Sequence, residues 1–112
     1  MAMSDPNKFD LYKSGMGHYT HQNYDAALKD FVKALELDPE FADVHQSLGH
    51  VYEKLGDLDA ALTSVKRAAE INPDDFLVHT SLSMFYQRVG MIPEAEAEKA
   101  KAAELQAKQQ TT

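Results

Sequence analysis

Three blocks of this sequence recur at one spacing, and that spacing decides what the chain can fold into. Asp25-Ala26-Ala27-Leu28 returns as Asp59-Ala60-Ala61-Leu62, a shift of 34 residues. Val44-His45-Gln46-Ser47-Leu48 returns as Val78-His79-Thr80-Ser81-Leu82 at the same shift. Lys33-Ala34-Leu35-Glu36-Leu37-Asp38-Pro39 is echoed by Arg67-Ala68-Ala69-Glu70-Ile71-Asn72-Pro73, and again by Lys101-Ala102-Ala103-Glu104-Leu105-Gln106-Ala107. A fixed period in this range marks stacked supersecondary units, none of which can bury its apolar face alone.

Within a unit, punctuation and periodicity set the elements. Phe41, Val44, Leu48, Val51, Tyr52 and Leu55 fall on one stripe, the pattern of an amphipathic helix. Gly56 stops that helix, and Asp57 supplies an N-cap for the next. The second helix carries Leu58, Ala61, Leu62, Val65, Ala68 and Ala69. It ends at Asn72-Pro73, where proline lacks an amide hydrogen and disfavours the helical conformation of the residue before it. The same reading predicts six helices, at about 7–21, 24–37, 41–55, 58–71, 75–89 and 93–109. Short connections force neighbouring helices antiparallel, and Pro93 suits the first turn of the last one.

The pattern resembles the tetratricopeptide repeat, with units at about 8–41, 42–75 and 76–109 and ends at 1–6 and 110–112 expected to be flexible. The resemblance implies an all-α, right-handed solenoid of three helix-turn-helix units in a single domain. The family's small residue in the first helix falls at Gly15, Gly49 and Ser83. Its small residues in the second helix fall at Ala27, Ala61 and Ala95, and at Ala34, Ala68 and Ala102. Its aromatic position is Tyr52 and Tyr86, and its closing proline is Pro39 and Pro73. Departures are His18 at the first aromatic, Ser14 where Leu48 and Leu82 stand, Ala107 at the third proline, and His45 and His79 where the family often has tryptophan. Ser14, Gly15 and Gly17 make the first helix intrinsically the weakest. The segment from Glu94 to Lys108 is alanine and charge, with Leu105 its one large apolar residue, the composition of a terminal helix with a wet face. On that basis a self-contained array is expected.

Composition narrows the function. A chain of 112 residues is about one domain. Cysteine is absent, which removes disulfides, thiolate metal sites and thiol nucleophiles. A formal net charge of −7 opposes nucleic-acid phosphates and anionic membranes. Residues 1–8 lack the basic and apolar runs of a signal peptide, although Met1-Ala2-Met3 allows a start at Met3. A cytoplasmic protein without membrane spans is the expectation.

Five histidines raise the question of chemistry. His45 and His79 are equivalent positions, which fits a packing role repeated in each unit, and His18 takes an aromatic slot. His18 and His21 have ligand-competent spacing, with His50 on a neighbouring helix as the remaining candidate, but no His-Glu-x-x-His or acidic calcium loop is present. Asp43, His50 and Glu53 share one surface, yet no phosphate loop or nucleophile elbow accompanies them, and Ser47 and Ser81 sit inside helices. No enzyme, metal or cofactor is expected.

The resemblance places the first helix of each unit along a concave groove. Groove positions carried over are Phe9, Tyr12, Met16, Tyr19 and Thr20 in the first unit. They are Asp43, Gln46, His50, Glu53 and Lys54 in the second, and Leu77, Thr80, Met84, Gln87 and Arg88 in the third. Phe9, Tyr12, Met16, Tyr19, His50, Leu77 and Met84 form the candidate partner-binding set, since aromatics and methionine suit adaptable protein surfaces. The competing reading has Phe9, Met16 and Tyr19 finish the core at an array end, with Tyr12 the hardest to explain that way. Some family members clamp acidic chaperone tails with Lys, Asn and Arg. The matching positions here are Tyr12, Met16, Ser47, Leu77 and Ser81, so no clamp cation exists. The expected role is an interaction adaptor taking a hydrophobic or basic peptide segment or an amphipathic helix. The alternative is a self-assembling structural protein that packs through its end faces.

Overall fold

The computed structural model describes residues 5–111. Residues 1–4 and 112 lie outside that range, and with them part of the ends expected to be flexible. Among the described residues six α-helices follow one another: α1 Lys8–Thr20, α2 Tyr24–Leu37, α3 Ala42–Lys54, α4 Leu58–Ile71, α5 Phe76–Arg88 and α6 Ile92–Gln110. They pack as three hairpins, α1 with α2, α3 with α4 and α5 with α6, and the α2–α3 and α4–α5 contacts join the units. The result is an all-α solenoid in which α1 also touches α3.

Each hairpin turn is built the same way. Gln22, Gly56 and Gly90, 34 residues apart, all have positive φ, at 64°, 86° and 84°. The following amide then reaches back to the last turn of the first helix: Asn23 N–H to His18 O at 2.8 Å, Asp57 N–H to Tyr52 O at 2.9 Å, Met91 N–H to Tyr86 O at 2.9 Å. This 6→1 bond closes a helix C-terminus around a left-handed residue. Asp57 is the N-cap read from the sequence, accepting from Ala60 N–H. Asn7 and Asp10 form a reciprocal capping box that starts α1, which helps to hold its glycine-containing sequence helical.

The core is two clusters, one at each junction between units. The first holds Leu11, Ala27, Phe31, Ala34, Val44, Leu48 and Val51. The second holds Ala61, Leu62, Val65, Ala68, Val78, Leu82 and Phe85. Six positions in each are related by the repeat, and their volumes trade: Phe31 with Val51 in one, Val65 with Phe85 in the other. Conserving total volume keeps both junctions close-packed. The repeat also explains Gly15 and Gly49. A Cβ at Gly15 would fall 2.5 Å from the Phe31 ring, and one at Gly49 would collide with Val65 Cγ2. In the third unit the facing position is the exposed Lys99, and Ser83 fits there with its hydroxyl donating to Ala95 O at 2.8 Å.

Candidate functional site

Side-by-side packing of α1, α3 and α5 sets a register between their side chains that repeats from unit to unit. Ser47 Oγ lies 3.5 Å from Met16 Sδ, and Ser81 Oγ lies 3.3 Å from His50 Nε2, each pair 31 residues apart. One turn further along, Arg88 donates to Glu53 at 2.5 Å, while Lys54 acts electrostatically on Tyr19 at the equivalent place. These contacts put side chains of α1, α3 and α5 on one side of the stack.

Their exposures divide them. Phe9 is 62% exposed, Leu77 54%, Met84 41% and Met16 37%. Finishing the core does not account for these side chains. Tyr12 and Tyr19 are half-buried against the first core cluster. Tyr12 was expected to be the residue least like core. Its ring instead lies 6.1 Å from Phe31 and 5.3 Å from Phe41, centroid to centroid. Phe9 meets Phe41 edge-on at 5.6 Å, and the Lys8 ammonium sits 5.1 and 5.5 Å from the two ring centres. That ammonium also bonds Asp38 at 2.6 Å, which holds the Asp38 carboxyl below the ordinary carboxylate range.

Met16, Tyr19, Ser47 and His50 come together around a concavity of about 230 Å³ between α1 and α3. His50 is its polar element. The ring packs edge-on to Phe85 at 5.5 Å, and burial pushes its pKa below the ordinary value, opposed by the Glu53 carboxylate. The Tyr19 phenol is pushed up by burial and stays neutral. Serine 47 was not among the candidate set, although its repeat-mate Ser81 and the constant spacing to Met16 and His50 carry the signal. Met84 lies elsewhere, in an opening of about 390 Å³ between α5 and α6 with Thr80, Ser83, Gln87, Lys99 and Ala102. That opening is larger but is lined by the two helices of one unit, α5 and α6. The smaller one sits above a packed junction between two units. Leu77 lines neither.

The histidines are held separately. His45 Nε2 bonds Pro39 O at 2.8 Å and His79 Nε2 bonds Pro73 O at 2.7 Å. The packing role shared by the second and third units is thus a bond to the carbonyl of the proline that closes the unit before. His79 Nδ1 also lies 2.6 Å from Glu98 Oε2 on α6. His21 Nδ1 faces Gly17 O, and His18 lies 3.6 Å from Asp30. Among the described residues no group of three His, Asp or Glu side chains could hold a metal, and no helix is long and apolar enough to cross a membrane.

The stacked hairpins and their repeat-related turns define a helical-repeat solenoid. The chain belongs to the tetratricopeptide-repeat family, whose profile matches residues 18–85. The crystal structure of MamA superposes with a TM-score of 0.90 at 24% identity, over 95% of this chain and 62% of that one. The MamA MSR-1 structure gives a TM-score of 0.83 at 30% identity, over 92% of this chain and 59% of that one. The first repeat domain of Spaghetti (RPAP3), bound to the HSP90 peptide SRMEEVD, gives a TM-score of 0.85 at 17% identity, over 88% of this chain and 79% of that one. This chain thus spans about three fifths of the MamA chains. Among curated proteins none matches the sequence significantly. Repeats of this family generally act as interaction modules rather than enzymes.

Proposed function

We propose that this chain is a protein-interaction module that holds an extended peptide segment of a partner across the face of α1, α3 and α5. An apolar side chain of that peptide seats between Met16, Tyr19, Ser47 and His50. One observation carries the reading: apolar side chains stand exposed on a face that also contains a concavity above a packed junction. Exposed apolar surface is unfavourable by about 25 cal/mol per Å² until something covers it.

The occupant is uncharged or basic. Gln46, Thr80 and Gln87 on this face are neutral, and Glu53 is engaged by Arg88. The net charge of −7 opposes an acidic segment. The clamp positions Tyr12, Met16, Ser47, Leu77 and Ser81 supply no cation, so the acidic peptide bound by the RPAP3 domain is not the expected ligand type. Self-assembly through the end faces is the lesser reading. On α1, Asp10, Ser14 and Gly17 stand where Val44, Leu48 and Val51 pack in the next unit, and at the other end Lys99 stands where Phe31 and Val65 are buried. Polar groups at both ends oppose stacking.

Selection of a random displayed peptide library at pH 7.5 tests the proposal. Wild-type protein is expected to recover peptides with a shared apolar position, and Met16→Lys to bind them at least about tenfold more weakly with unchanged helicity, since a buried unpaired charge outweighs one side-chain contact. Equal binding by the variant would remove the groove from consideration.

A further inference from the structure

We propose that the concavity between α1 and α3 is a proton-gated subsite: it accepts an uncharged apolar side chain and expels it when His50 becomes charged. This rests on the groove reading above and adds to it the chemistry of the occupant and its control.

Volume and lining decide what enters. Ligand sites for drug-sized molecules span roughly 300–1,000 Å³, so about 230 Å³ suits one side chain of a larger ligand. The walls are the Met16 thioether, the Tyr19 ring and the His50 ring, with the Ser47 hydroxyl already directed at Met16 Sδ. Nothing in that lining is a fixed charge, so a charged side chain entering it would lose water without gaining an ion pair.

His50 is the one group there whose charge can change near neutral pH. From α1 it faces Met16 and the neutral phenol of Tyr19. From α5 it faces the Ser81 hydroxyl, buried and 3.3 Å from Nε2, and the edge of Phe85. Its own helix brings Glu53 and Lys54, which act with opposite signs, and Glu53 is engaged by Arg88 from α5. Behind α3, the residues that α4 packs against Gly49 are Ala61 and Val65, which carry no charge. Glu53, shared with Arg88, is thus the carboxylate that favours an imidazolium here, and burial of the ring outweighs it.

A side chain seated in the concavity covers the part of the ring that still reaches water, which penalises the charged form further. Binding then requires neutral His50. Affinity is constant well above the ordinary histidine value of 6.5 and falls as pH drops through the lowered value of the free protein. Release of a single proton limits the slope to about tenfold per pH unit. Because the free value lies below 6.5, the loss between pH 7.5 and 5.0 is bounded at about thirtyfold.

The test uses the full chain and a capped peptide free of Asp, Glu and His, taken from the library selection at pH 7.5. Titration calorimetry at pH 7.5 and 5.0 is expected to show a loss at the lower pH of at most about thirtyfold, with helicity unchanged by circular dichroism. His50→Gln is expected to bind at both pH values with one affinity. Wild-type binding that is equal at both pH values, or tighter at 5.0, overturns the gate while leaving the groove in place, as does a pH dependence that survives in His50→Gln. A selection yielding no groove-dependent peptide overturns the groove and the gate together. A concentration-dependent mass in light scattering that the peptide reverses would assign the concavity to a second copy of the chain.

Discussion

Gly15→Ala and Gly17→Ala add the same methyl group to the same helix, and their effects on stability should have opposite signs. Replacing glycine by alanine in a helix interior gains about 0.5–1 kcal/mol, chiefly from the unfolded chain's lost freedom. At Gly17 nothing lies within 4 Å of the added Cβ, so the gain is realised in full. At Gly15 the Cβ falls 2.5, 2.7 and 2.9 Å from three carbons of the Phe31 ring. Carbon contacts settle near 3.5–4.0 Å, so the ring must retreat by roughly 1 Å. Phe31 is 0% exposed and belongs to the cluster with Val44, Leu48 and Val51 from the next unit. Its retreat therefore disturbs the junction between units. Overpacking of this kind costs roughly 1–3 kcal/mol, which leaves Gly15→Ala net destabilised by about 1–2 kcal/mol after the helical gain. Urea unfolding followed by far-ultraviolet circular dichroism reads both variants as midpoint shifts at constant slope. A Gly15→Ala protein as stable as wild type, or two variants shifted in the same direction, would refute the claim that Phe31 occupies the space a side chain would need.

Two further outcomes follow from the repeat. His79→Ala strips partners from the Pro73 carbonyl and the Glu98 carboxylate and should cost about 1–3 kcal/mol. His45→Ala loses one bond at a less buried place and should cost about 0.5–1.5 kcal/mol; equal losses in urea midpoints would contradict the added role of Glu98. Gln22 has a φ of 64° where Gly56 and Gly90 stand in the other turns. Gln22→Gly should raise the melting temperature and Gly90→Ala lower it, each by the equivalent of about 1 kcal/mol, and a neutral result at both would show that the turns do not constrain φ.

Helices were legible because their signals are local and repeated. Asp57 caps, glycine closes the turn and Asn72-Pro73 ends the second helix, and α3 runs from Ala42 to Lys54 against an expected 41–55. The last helix continues to Gln110 once Ala107 replaces the proline. The core volumes were harder to read, since Phe31 and Val51 exchange sizes with Val65 and Phe85 across a junction that joins different units. Tyr12 was misjudged for a related reason. A groove-facing position says where Cβ points, whereas the ring turned onto Phe41, a residue 29 positions away at the N-cap of α3. Ser47 stays outside the candidate set because serine inside a helix is ordinary; its register against Met16 marks it.

The repeat separates what must be small or apolar from what is free to vary, and the site sits on the free side. Glycine at 15 and 49 answers to Phe31 and Val65, and these answer in turn to the first helix of the next unit. Met16 and His50 occupy one equivalent position on the outer side of that packing and can differ in chemistry without changing it. The concavity between α1 and α3 therefore inherits a fixed geometry from the first junction while its lining remains open to selection for a ligand. The opening beside Met84 lacks that support, because Lys99 replaces the plug and α6 has no further described helix behind it. A preformed recess loses less freedom when a ligand orders it, which is why the smaller concavity, over the better packed junction, is where a peptide side chain is expected to seat.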